Sequence, residues 1–345
     1  MKEADQQRAV SFGKRLAAND KKTRDKAVKV LQRWLAGKQE FDELDMMKLW
    51  LGLYYCMWMS DKPPVQRELA RTLSKLVHLF QRVEDAGLFV HCFFKTMHRE
   101  WGSIDKHRLD KFYALVRMVL REAFAYLHGT EWSDDALLNF LPALKHAVFG
   151  EQGVGLQLHV TDVVLNELYT ATEEGGASSL SAEELAVALS PFLEAVMRSP
   201  SKVLFRRIHE ALLKPLAERY ELGAGMRDAK PRKDAEAPGS KRRRTEGGKA
   251  AAGAEAEAEA EATPARRFPH ADPVMLAALV FDMAADPRLL ASRRDQLYHV
   301  HGELRKQAVR TFGRDAVEPS AVGSSGELGV LVGVSFGDGD EEGGE

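Results

Sequence analysis

Residues 44–79 read LDMMKLWLGLYYCMWMSDKPPVQRELARTLSKLVHL, and this pattern sets the expectation for the rest of the chain. Met46, Leu49, Trp50, Leu53 and Met57 recur at steps of three and four, the period of a buried helical face. Tyr54, Tyr55, Cys56 and Trp58 fill much of the remaining circumference. A helix apolar nearly all round sits inside a protein, with neighbours on several sides. Ser60 and Asp61 end it. Pro63 and Pro64 cannot continue it, but they suit the first turn of a following helix, where N–H groups lack partners in any case. Leu69, Leu73, Leu76 and Phe80, with Val65 and Val77, then make a second apolar face. The stretch is a helical hairpin with one heavily buried arm.

The same period extends in both directions. Helices are expected over about 4–18 (Ala9, Phe12, Leu16 inward) and 21–36 (Ala27, Leu31, Trp34, Leu35 inward), the latter capped by Asn19 or Asp20. After the central hairpin, Gly87 precedes a helix of about 88–101, and Asp105 opens a long one of 106–128. A helix of about 134–149 follows, with Leu137, Leu138, Leu141, Leu144 and Val148 inward and a kink or break at Pro142. Further helices cover 154–171, then a run begun by a capping box at Ser181–Glu184, then 201–220, interrupted at Pro215. Taken in pairs, new hairpins start near residues 4, 42, 86, 133 and 181. A repeat of roughly 40–47 residues per helix pair is that of HEAT-like solenoids. No residue signature repeats with it, so the expected fold is all-α, an irregular solenoid of helical hairpins over residues 1–220; an irregular helical bundle is the second reading.

Residues 221–270 carry almost no apolar periodicity and are expected to be a disordered, charged linker. A helical pair follows over 271–312, too small to stand alone and therefore expected to pack on the main domain or on a partner. The Gly-rich acidic tail of 313–345 reads as disordered, although Leu328–Phe336 is apolar enough to dock somewhere.

A chain of 345 residues with 45% apolar and 29% charged residues can bury a sizeable core. Its net charge of −2 hides an asymmetry. The first 36 residues hold ten Lys or Arg against four Asp or Glu, while residues 337–345 are all Gly, Asp or Glu. Cys56 and Cys92 are too few for a disulfide framework or a zinc site and read as buried free thiols in a reducing compartment. The start MKEADQQRAV lacks a signal-type apolar core, and no run is long and apolar enough to span a membrane, so a soluble intracellular protein is expected.

Charge supplies the candidate sites. Lys22, Lys26, Lys29 and Arg33 fall at i, i+4, i+7 and i+11, one stripe opposite the apolar face of their helix; Arg8, Lys14, Arg15, Lys21 and Arg24 could widen it. Such a stripe suits a ribose-phosphate backbone, because each neutralised phosphate releases counterions. A solvated helix face looks the same. Lys230, Arg232 and Lys233, then Lys241, Arg242, Arg243 and Arg244, form two clusters that read as a nuclear localisation signal or an RNA-contacting arm. Trp50, Tyr54, Tyr55 and Trp58 read as core, not as base-stacking platforms. Lys202–Phe205 fits a loose phosphatase-docking pattern but lies in a predicted helix. His91 with His98, and His299 with His301, lack metal-ligand spacing, and the glycines of 150–155 have no preceding strand. No catalytic residue, metal or cofactor is expected, and neither a small-molecule substrate nor a membrane partner.

The run Lys48-Leu49-Trp50, then Tyr54-Tyr55-Cys56-Met57-Trp58-Met59-Ser60-Asp61-Lys62-Pro63, resembles the signature of the ribosomal RNA processing protein 1 family, nucleolar factors of large-subunit assembly. The resemblance extends from about Ala9 to Leu216, with a second similar segment at Met275–Lys306. It implies a nuclear, nucleolar, non-enzymatic scaffold whose partners are precursor rRNA and other large-subunit assembly factors. It also marks Trp50, Tyr54, Tyr55, Trp58, Asp61 and Pro63 as signature positions. The alternative is a general nuclear α-solenoid adaptor that binds proteins only.

Overall fold

The computed structural model describes residues 13–37, 40–150, 153–174, 178–227 and 266–314. In chain order the helices are α1 (Lys21–Gly37), α2 (Glu43–Trp58), α3 (Pro63–Ser74), α4 (Val83–Glu100), α5 (Leu109–Gly129), α6 (Asp134–Lys145), α7 (Val154–Thr172) and α8 (Ala182–Arg198). Then come α9 (Lys202–Ile208), α10 (Lys214–Glu218), α11 (Pro273–Ala285) and α12 (Ala291–Phe312), with two three-residue strands, β1 (Tyr220–Leu222) and β2 (Arg266–Phe268).

The helices form hairpins stacked in two layers. One layer runs α2, α4, α6, α8, α11, and the other α3, α5, α7, α9 with α10, α12; each helix packs on the next in its own layer. This is the expected all-α solenoid. The helical pair of the C-terminal region continues it as a fifth hairpin in register: α11 lies on α8, and α12 on α10. Polar contacts follow the same register. In the second layer His78 meets Glu122 at 2.8 Å, Arg117 and Arg121 meet Glu167, and Arg207 meets Asp162 at 3.0 Å. Each pair spans one repeat.

Local chemistry sets the helix ends. Asp42 accepts the Asp45 N–H at 2.7 Å at the start of α2, and Ser181 with Glu184 forms the expected reciprocal capping box on α8. Pro63 opens α3. Ahead of Pro215, which has no N–H to offer the preceding turn, the chain widens into a π turn over His209–Leu213, so α9 and α10 run on as one bent rod.

Several expectations need correcting. Residues 1–12 lie outside the described part, so of the first helix only its end, residues 13–16, is placed, with Leu16 buried against the stack. Trp34 is 46% exposed instead of inward, and Leu138 is 74% exposed. The buried face of α6 is Ala136, Phe140, Ala143 and Leu144. Pro142 does not break α6, which runs through it and ends three residues later. Gly87 does not precede a helix but lies within α4, where a Cβ would sit 2.5 Å from the Asn139 carbonyl oxygen. The glycine is there so that α4 and α6 can touch.

Nor is the expected linker uniform. Its two ends return to the same place: Tyr220, Glu221 and Leu222 pair in parallel with Arg266, Arg267 and Phe268. Tyr220 stacks on Phe268 with ring centroids 5.3 Å apart. The Gln307 side-chain amide of α12 donates to the carbonyls of Ala217 and Tyr220 while its oxygen accepts from Leu222 N–H, tying the last hairpin to this joint.

Substituting Gly87→Ala should lower stability by about 1–3 kcal/mol, because an added methyl in a filled helix contact forces backbone shifts. A denaturant midpoint unchanged from the wild type would show that α4 and α6 can separate freely.

Candidate nucleic-acid interface

α1 carries the stripe. Asp20 accepts the Thr23 N–H at 2.9 Å and so caps the helix; Ala27, Val28, Leu31 and Leu35 bury its inner face. Lys22, Lys26, Lys29 and Arg33 all point outward and exposed, and none has an ion-pair partner among the described residues. The cations around them differ. Lys21 pairs with Asp25 at 2.5 Å, Lys95 with Glu43 at 2.6 Å and Arg82 with Glu40 at 3.0 Å. The stripe is therefore charge left uncompensated among the described residues. Lys14 and Arg15 are exposed at the end of the short helical stretch that precedes the turn into α1. Arg24, read from sequence as a possible extension, is buried instead: its guanidinium donates to the carbonyls of Ala18 at 2.7 Å and Asn19 at 2.8 Å. It holds the turn that presents Lys14 and Arg15. Along one edge of the stripe lie Val30 and Trp34, the indole fixed edge-to-face against Phe41 at 5.3 Å.

The signature residues build the joint behind α1. The Trp50 indole N–H donates to the Phe89 carbonyl at 2.7 Å, and Tyr54 stacks on Phe112 at 4.9 Å. Arg108 lies 4.7 Å over the half-buried Trp58 ring. Tyr55 departs from the expected core role and is 43% exposed. Asp61 and Pro63 are exposed at the turn into α3.

One member of this joint escaped the sequence reading. Lys111 on α5 is buried, and its Nζ donates to the carbonyls of Trp58 at 2.6 Å and Ser60 at 2.8 Å, closing the open end of α2. Among the described residues no carboxylate touches it. Burial pushes its ammonium down to about 8. Lys111 falls beside Phe112 and in step with Leu115 on the apolar face of α5, and a cation in that register was the available signal.

The remaining candidates do not assemble into a site. Lys230, Arg232, Lys233 and Lys241 to Arg244 lie outside the described residues. Leu204 and Phe205 are buried in α9, so Lys202–Phe205 is not an extended docking strand. Cys56 and Cys92 are buried free thiols, each pushed up to about 12 by desolvation and so inert. Among the described residues no group of His, Cys, Asp or Glu is arranged to hold a metal ion, and no helix is long and apolar enough to cross a membrane.

A two-layer stack of helical hairpins, with an uncompensated cationic face on the helix that precedes its first hairpin, defines an α-solenoid, a class with extended surfaces. The chain belongs to the Nop52 family of nucleolar proteins, whose model (Nucleolar protein, Nop52) matches residues 7–301. It is 34% identical over 221 residues to ribosomal RNA processing protein 1 homolog A of Homo sapiens, covering 62% of this chain and 47% of that protein. It is also 31% identical over 216 residues to the Caenorhabditis elegans ribosomal RNA processing protein 1 homolog, covering 61% of this chain and 53% of that one. The chain spans about half the length of these curated relatives. The resemblance carried by the Lys48–Pro63 run is borne out, and with it the nucleolar location.

Lys111→Met should cost about 1–3 kcal/mol, the penalty for leaving buried carbonyls without donors. The folded-state pKa near 8 lies below the 10.5 of a free lysine, so between those values the unfolded chain binds more protons. Wild-type stability contributed by this site therefore rises with pH across that window, and the gap to Lys111→Met should widen from pH 7.5 to pH 9.5. Urea midpoints at both pH values check this; a constant gap would contradict the burial of the ammonium.

Proposed function

We propose that this protein is a non-catalytic scaffold in ribosomal RNA processing, holding precursor rRNA and other assembly factors of the large subunit together in the nucleolus. Family membership and the names of the relatives support the processing role. The observation that carries the RNA contact is the run of four exposed cations on α1, none with an ion-pair partner among the described residues. Their steps of four, three and four residues put one charge on each turn of the helix, a row that a phosphate backbone can follow without base-specific readout. Trp34 beside the row adds a flat surface on which an unpaired base can stack. Lys14 and Arg15 extend the row toward the N-terminus.

A protein-only adaptor draws support from Leu138, 74% exposed on α6 at a distance in sequence from the stripe. The two readings separate in one titration. Replacing Lys22, Lys26, Lys29 and Arg33 with Gln should weaken binding of a single-stranded RNA oligonucleotide and reduce the slope of log K against log salt by about 2.8, at roughly 0.7 for each phosphate no longer neutralised. Far-ultraviolet circular dichroism should be unchanged. An unaltered slope would move the RNA site elsewhere, and absence of binding by the wild type would leave the adaptor.

A further inference from the structure

The stack ends on a surface that stacked repeats do not ordinarily leave bare. α11 is apolar nearly all round (PVMLAALVFDMAA, with Asp282 its single charge), a composition that calls for neighbours on several sides. Its inner face is buried against α8 and α12 through Leu276, Leu279, Val280 and Met283. Among the described residues its outer face has no further hairpin to meet. Val274, Ala278, Phe281 and Ala285, at i, i+4, i+7 and i+11, form an outward stripe, with Phe281 45% exposed. Tyr298 of α12, 40% exposed, and His301 rest against the Phe281 ring at 5.9 and 5.2 Å, and Leu290 in the turn is 50% exposed. Terminal repeats of solenoids need a polar outer face to stay soluble, and this one is apolar.

We propose that the outer face of α11 is covered by this chain's own segment Leu328–Phe336. Outside the described residues that segment, LGVLVGVSF, is the apolar run of the sequence. Leu328, Val330, Val332, Val334 and Phe336 fall on alternate positions, which in an extended segment share one side, with Gly329, Leu331, Gly333 and Ser335 on the other. Its starting point fits. Pro273 at the head of α11 and Phe312 at the foot of α12 both lie within 3.3 Å of the Cβ position at Gly223, so the chain leaves α12 beside the first turn of α11. Residues 314–327 can span about 45 Å at ~3.3 Å each, whereas Phe281 lies only about 12 Å along α11 at 1.5 Å per residue. A nine-residue extended segment, about 26–30 Å, matches a 13-residue helix of about 20 Å with a little to spare. Apolar stripe and reach agree on one occupant.

Thiol reactivity tests the cover directly, because Cys56 and Cys92 are buried and inert. Ala278→Cys places a reporter on the outer face, and Ala285→Cys serves as a second in case the first perturbs folding. In the whole chain the reporter should react with a soluble aromatic disulfide on the order of tenfold more slowly than in a chain stopped after Arg314, at any protein concentration. Introducing Val332→Asp should restore the fast rate. Equal rates with and without the tail would overturn the proposal and leave the face to another protein. Protection that grows with protein concentration would overturn it in favour of a second copy of the chain.

Discussion

Helix ends buried inside a stack expose carbonyl groups that water cannot reach, and in this protein the donors come from a different hairpin. Lys111 of the second hairpin closes the end of α2 in the first. Arg293 of the last hairpin donates to Val196 at 2.5 Å and Ser199 at 2.6 Å at the end of α8, while lying 4.8 Å over the Phe205 ring. Gln307 does the same for α10 and β1. Each donor is a long side chain growing from an otherwise apolar helix face. Leaving such carbonyls unpaired costs more than a typical hydrogen bond yields, so the joints penalise separation of hairpins more than they reward association. The stack is thereby coupled beyond its hydrophobic contacts, and the fifth hairpin is fastened by two of these donors although a long stretch of chain separates it from the fourth.

The hairpin register was legible because the apolar period is a strong, repeated signal, and the capping box at Ser181–Glu184 needed only four residues to be read. Positions at the margin of a face were not. On α6 Leu144 is inward as expected, but a small rotation about the helix axis puts Ala136, Phe140 and Ala143 in the core in place of Leu138, with Leu137 and Leu141 left half-buried. Trp34 shows the bias toward assuming that a large aromatic is buried. Gly87 suggested a boundary because glycine is a poor helix former, yet close approach to Asn139 was the governing constraint. Strands of three residues have no period to detect.

At the candidate interface, sequence spacing was enough to align Lys22, Lys26, Lys29 and Arg33 on one face. Spacing could not say which neighbouring charges would be answered. Beside the local Glu84, Arg82 meets Glu40, and Lys95 meets Glu43, each more than 40 positions away, and Arg24 turns inward to carbonyls of the preceding turn. Partnership between distant residues is a property of the folded chain. The polar residues that hold the hairpins together were missed for the same reason, although a Lys, Arg or Gln in an apolar register marks each of them.

The parallel pairing of β1 with β2 makes the chain leave and re-enter the stack at one point. Any sequence spliced between Arg227 and Arg266 meets the same boundary condition: it must begin and finish close together. Closing a loop between fixed ends grows harder only with the logarithm of its length, about 0.6 kcal/mol for each doubling. Natural variation can thus lengthen, shorten or rewrite that interval with little consequence for the five hairpins. The strand pair fixes both ends of that interval whatever its length.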